Sequence, residues 1–99
     1  KNKCMTVVIC SKGYPGKYNK DKTINLTKFK DTKNLFIVHA GTKIKNGKLV
    51  SNGGRVLNII SKGKSLRQIR EKIIKLIIKI NWKYGFFRRD IGWRIIGGE

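Results

Sequence analysis

The sequence predicts a small α+β domain in which a mostly antiparallel, strongly bent sheet packs against one long helix. Three observations predict it: short β-branched runs recur along the chain, an Asn-Gly pair sits between two alternating segments, and one segment repeats its apolar residues at helical spacing. With 99 residues and 39% hydrophobic content there is material for one modest core, so residues 1–99 are expected to form one domain.

The elements follow in order. "MTVVICS" at 5–11 is β-branched and apolar on both alternating faces, which predicts a buried strand. "KGYPGKY" ends it, because Pro15 fixes one backbone angle while Gly13 and Gly16 permit conformations that other residues avoid. Residues 17–34 are lysine-rich and polar apart from Ile24, Leu26 and Phe29, and read as a long surface excursion. "LFIVHA" at 35–40 predicts a second buried strand, stopped at Gly41.

"TKIK" and "KLVS" flank Asn46-Gly47, the strongest short-range hairpin signal, since both residues tolerate the positive φ of a type I′ turn. "NGG" at 52–54 leads into the strand "RVLNIIS" at 55–61. Ser65 and Gln68 then have the spacing of a helix capping box. Beyond it Leu66, Ile69, Ile73, Leu76, Ile77 and Ile80 share one helical face. Ile74 and Ile78 lie beside that face, near Arg67, Arg70 and Glu71, and widen the apolar stripe; this flank is expected either to pack on another domain or to belong to a broad core helix. "IGWRII" reads as a last strand.

Net charge is +19, from 24 Lys and Arg against 5 Asp and Glu, which suggests a phosphate-rich or anionic partner. Yet Lys, Ile and Asn alone supply 41 residues, a skew expected of an A+T-rich coding sequence, so much of the lysine reads as surface filler. Arginine is then the more informative cation, because its planar fork is not replaced by lysine. Of the six, Arg55, Arg88, Arg89 and Arg94 lie near glycine-bearing segments.

Cys4 and Cys10 fall in one extended run, ~20 Å apart at ~3.3 Å per residue, too far to bridge. Two unpaired thiols fit a reducing cytosol. The opening is polar, with no secretory pattern, and "IIKLIIKI" is broken by lysines and far shorter than a membrane span. The chain begins at Lys1 rather than Met and reads as a fragment of a longer protein.

One His and two Cys without ligand spacing argue against a metal site. His39, on an apolar run, reads as a structural histidine rather than a general base, and no serine is marked as a nucleophile. "SKGYPG", "HAGT" and "NGGRVL" pair glycines with polar groups, as tight turns or as anion-binding nests of backbone N–H groups, with Arg55 in reach of such a ligand. Gly13, Tyr14, His39, Gly41, Thr42, Gly53, Gly54 and Arg55 are therefore supporting candidates. In "FFRRDIG", Arg88 and Arg89 offer bidentate contacts to a phosphate with Asp90 orienting one fork; a surface ion pair is the plainer alternative.

Taken in order, "VVICSKGYPGKY", "FIVHAGTKIKNGKLVSNGGRVLNIISKGKSL" and "FFRRDIGWR" resemble the C-terminal domains of glycinamide ribonucleotide synthetases, from about Met5 to Arg94. The resemblance implies a hybrid-motif-like fold and a part in an ATP-grasp ligase of purine biosynthesis, a cytoplasmic enzyme joining glycine to 5-phosphoribosylamine. It implies that ATP and Mg²⁺ bind in the ATP-grasp portion, outside this segment, that the segment packs with the ATP-grasp and N-terminal portions of the same enzyme, and that alone it is inactive. It also implies that Arg88 and Arg89 hold the substrate's 5′-phosphate. Phe87 stands where tyrosine is common in the family, and 17–34 matches loosely. The competing reading is a basic nucleic-acid-binding module; against it, lysines are spread through all segments and no RNA-binding signature strand occurs, so no specific nucleic-acid partner is expected. A membrane-surface helix is the weaker explanation of the isoleucine-rich stripe.

Overall fold

The structure, a computed structural model, describes residues 3–87 and the backbone of 93–95. Its elements are β1 (Lys3–Ser11), β2 (Leu35–His39), β3 (Thr42–Lys45), β4 (Lys48–Ser51), β5 (Arg55–Gly63), α1 (Leu66–Ile80), β6 (Gly85–Phe87) and β7 (Trp93–Ile95). β2, β5 and β1 lie side by side, and β6 and β7 both pair with the far edge of β1; every pairing is antiparallel. The α+β class and the antiparallel sheet with a long helix match the expectation.

The core lies between the sheet and α1. Val7 and Ile9, Leu57 and Ile59, and Ile37 are buried in one cluster with Ile69, Ile73, Leu76 and Ile80 of the helix. Each such side chain contributes about 1.5–3 kcal/mol on leaving water. The helix starts where expected: Ser65 is extended, and its Oγ accepts the Gln68 N–H at 3.4 Å. It stops at Asn81, whose left-handed backbone lets its N–H reach the Ile77 carbonyl at 3.0 Å.

The sheet bends at a β-bulge. Ile9 pairs with Leu57 but Cys10 pairs with Arg55, leaving Val56 as the extra residue. The Val56 carbonyl accepts the N–H groups of Ala40 and Gly41 at 3.0 and 3.1 Å. That double bond turns the chain after His39, so β2 ends one residue before the predicted boundary. At the other end β1 and β5 pair two residues beyond prediction, to Lys3 and Gly63.

Asn46 and Gly47 have φ of 53° and 75°, as the type I′ reading requires, and close the β3–β4 hairpin. The excursion over 17–34 is only partly superficial. Asp21 N–H donates to the Ser51 carbonyl at 2.7 Å, Ser51 N–H to Lys22 at 2.9 Å, and Ile24 N–H to Leu49 at 2.9 Å. These bonds lay 21–24 along β4 as a strap and bring Ile24 into the core, with Leu26 and Phe29 against it.

Two strand expectations need correction. β2 is not a buried strand: only Ile37 is buried, because β2 is the edge of its sheet and exposes Val38. Asp31 Oδ1 accepts the Ile37 N–H at 3.1 Å, occupying part of that edge. β6 was missed altogether, and of the predicted strand "IGWRII" the described part is Trp93–Ile95. Cys4 and Cys10 form no disulfide, as their separation along β1 requires.

Candidate functional site

The three glycine turns singled out in the sequence meet at one end of the sheet. Ser11, which ends β1, donates its N–H to Gly54 at 2.7 Å and its hydroxyl to Gly53 at 2.8 Å. Asn52 N–H donates to Gly41 at 2.7 Å. Gly41 lies so close to Arg55 that a β-carbon there would fall on the Arg55 carbonyl, and a β-carbon at Gly54 would fall on the Tyr14 ring. Gly13 has φ of +96°, and Tyr14 N–H closes back on Ser11 at 3.1 Å. The N–H groups of Ser11 and Asn52 thus tie the turns to one another, and those of Tyr14, Ala40 and Gly41 are taken up by the Ser11 and Val56 carbonyls rather than facing outward.

On this frame His39 is exposed, with Nδ1 2.9 Å from Thr42 Oγ1 across the Ala40–Gly41 turn. Arg55 is exposed at the start of β5, beside Gly53 and Gly41. Gly13, Tyr14, His39, Gly41, Thr42, Gly53, Gly54 and Arg55 therefore belong to one end of the molecule.

Arg88, Arg89 and Asp90 lie outside the described residues, as do the side chains of 93–95. Their flanks are placed: Phe87 pairs with Ile9 and Trp93 with Met5, both on one edge of β1.

The helix flank marked by Ile74 and Ile78 is open among the described residues, at 37% and 69% exposure, and Phe86 is 37% exposed beside it. A groove of about 240 Å³ runs between α1 and β1, lined among the described residues by Met5, Val7, Ile73, Ile74, Ile77, Phe87 and Arg70. A second, more open one of about 500 Å³ continues past Ile78, Trp82 and Phe86. Lysines, by contrast, gather on the strap side: Lys12, Lys17 and Lys20 line an open depression of about 550 Å³ with Tyr18. Lys22 and Lys83 hold their Nζ atoms 4.8 and 5.2 Å from the Tyr84 ring centre. Sequence reasoning passed over this cluster as filler, although "SKGYPGKYNK" interleaves lysine with tyrosine.

Asp21, next in sequence to Lys20, is held by two lysines of β3. Its carboxylate is held below the usual range first by the bond from Lys45 at 2.9 Å and then by Lys43 at 3.0 Å. Among the described residues no three of His, Cys, Asp and Glu gather to hold a metal, and no helix is long and apolar enough to cross a membrane.

The family model described as phosphoribosylglycinamide synthetase, C domain, matches residues 4–94. The phosphoribosylamine–glycine ligase of Agrobacterium fabrum is 44% identical over 96 residues, covering 96% of this chain and 22% of that protein. The chloroplastic phosphoribosylamine–glycine ligase of Arabidopsis thaliana is 43% identical over 99 residues, covering 97% and 19%. The crystal structure of the Thermotoga maritima phosphoribosylamine–glycine ligase superposes with a TM-score of 0.74 at 36% identity, over 90% of this chain and 22% of that one. The chain thus spans a minor part of the relatives it matches.

Proposed function

Since the chain belongs to the phosphoribosylglycinamide synthetase C-domain family, we propose that it serves as the C-terminal domain of a ligase joining glycine to 5-phosphoribosylamine at the expense of ATP, in the cytoplasm. The observation that carries this reading is identity of 44% across 96% of the chain with a protein of that name, on a fold shared at TM-score 0.74. In this reading the other portions of the enzyme bind ATP and Mg²⁺. The described residues offer no carboxylate cluster that fits the metal.

The chain's own share is positional. Arg88 and Arg89 follow in sequence on Phe87, which pairs with Ile9 of β1. Two guanidinium forks grip the substrate's 5′-phosphate bidentately, and Asp90 orients one of them. The glycine-tied end supplies rigidity: Ser11, Gly41, Gly53 and Gly54 hold three loops together with few degrees of freedom. The exposed Ile74–Ile78 flank packs on the ATP-grasp portion, where its apolar surface leaves water.

A segment exchange tests the reading. This chain replaces the corresponding C-terminal segment of the Agrobacterium ligase, and formation of glycinamide ribonucleotide is measured. A folded chimera that retains turnover supports the assignment; a folded chimera with none overturns it.

A further inference from the structure

We propose that the lysine–tyrosine face built by residues 12–22 together with Tyr84 binds the backbone of a single nucleic-acid strand without reading its sequence. Lys12, Lys17 and Lys20 converge on one open depression of about 550 Å³, with Tyr18 in its wall. Tyr14 meets Tyr18 edge to face at 6.0 Å, which fixes the wall, and Lys22 and Lys83 flank the exposed ring of Tyr84. The strap's one acid, Asp21, is already held by Lys43 and Lys45.

Shape and charge together set the class of ligand. A concave surface lined by one sign of charge concentrates its field, so three lysines around a depression attract more strongly than three on a convex helix. The site is too open to enclose a small phosphate ester, whereas an extended polyanion engages it along its length. Lysines act as point charges on phosphates and carry no base code; a tyrosine ring accepts any base face, and Lys22 and Lys83, which lie over the Tyr84 ring, free it for a base when they turn to the phosphates. The inference is independent of the ligase reading.

The helix supplies the control. Lys72, Lys75 and Lys79 are exposed on α1 and carry the same charge as Lys12, Lys17 and Lys20. Binding of the 99-residue chain to a fluorescent 20-nucleotide RNA is followed by anisotropy from 50 to 300 mM salt. The Lys12→Gln/Lys17→Gln/Lys20→Gln triple is expected to weaken binding at least ~10-fold and to lower the salt slope by about 2, at ~0.7 per lost single-strand phosphate contact. The Lys72→Gln/Lys75→Gln/Lys79→Gln triple is expected to change affinity less than ~3-fold, its charges acting only at a distance through salt. Equal losses from both triples, or no measurable binding at 150 mM salt, overturn the proposal. Tyr84→Ala is expected to weaken RNA but not inorganic polyphosphate of matched charge; an equal effect on both overturns the assignment to nucleic acid.

Discussion

The ring of Tyr14 occupies the space that a β-carbon on Gly54 would need, its Cδ1–Cε1 edge nearest. Because Gly54 also accepts the Ser11 N–H at 2.7 Å, neither partner shifts without loosening the end of β1. Gly54→Ala is therefore expected to cost about 1–3 kcal/mol in urea denaturation, as overpacking does. Adding Tyr14→Ala relieves the clash, so the double variant is expected to be more stable than the sum of the two single losses predicts. A Gly54→Ala change within about 0.5 kcal/mol of the parent, the range of an ordinary surface substitution, shows that the contact is not tight.

Two fully buried serines make opposite predictions. Ser51 Oγ accepts the Lys22 N–H at 3.1 Å and so ties the strap to β4, whereas among the described residues Ser61 Oγ has no hydrogen-bond partner. Ser51→Ala is expected to lose about 1 kcal/mol, and Ser61→Ala to be neutral or stabilising, because it removes an unsatisfied hydroxyl. Urea midpoints of the two variants check this; comparable losses from both contradict the pairing seen here.

Most of the fold was legible from local signals. The Asn46-Gly47 turn, the Ser65 cap and the isoleucine spacing of α1 each act over a few residues, and each appears where the sequence placed it. What escaped depends on partners distant in sequence. Three residues such as Gly85–Phe87 are a strand only because Ile9–Ser11 lie opposite, and the burial of Ile24 depends on the edge of β4. The edge position of β2, which exposes Val38, is likewise a matter of sheet order rather than of its own sequence.

Asp21 sets an acid sensitivity for the strap. Its folded carboxyl is held below the unfolded value by Lys45 and then Lys43, so its contribution is present above the ordinary carboxylate pKa and is lost as pH falls through the lowered one. Thermal midpoints of the parent and Asp21→Asn are expected to differ at pH 6 and to converge as pH falls through the lowered carboxyl pKa and the side chain becomes neutral. Asn retains the left-handed backbone that residue 21 adopts, at φ of 61°, so the substitution isolates charge. A gap that persists unchanged into acid refutes the ion pairs as its source.

The candidate site was legible in parts. Glycine turns scattered over forty residues were singled out singly, and the sheet brings them to one end through Ser11 and Asn52. The lysines of 12–20 were discounted because composition made lysine common, and composition carries no information about concavity.

Ile78 separates folding from docking. At 69% exposure its side chain contributes little within the chain, so Ile78→Lys is expected to leave the unfolding midpoint of the 99-residue chain nearly unchanged. In the chimeric ligase the same change places a charge in the proposed contact with the ATP-grasp portion and is expected to lower activity or thermal stability. Equal behaviour of parent and variant in the ligase would exclude this flank from the contact.

Arg88 and Arg89 are the sharpest test of the substrate-phosphate reading. Each guanidinium is expected to contribute a charge-assisted hydrogen bond of about 1.5–3 kcal/mol to the bound phosphate. Replacing either with alanine in the ligase should therefore raise the KM for phosphoribosylamine by about 10- to 100-fold, with a smaller change in kcat, since the phosphate lies away from the amine that reacts. Arg→Lys keeps the charge but loses the fork, so it should recover only part of the loss. If one arginine instead pairs with Asp90 at the surface, its alanine variant will be near normal while the other is not, which identifies the binding residue. Normal kinetics in both alanine variants removes the phosphate role from this pair.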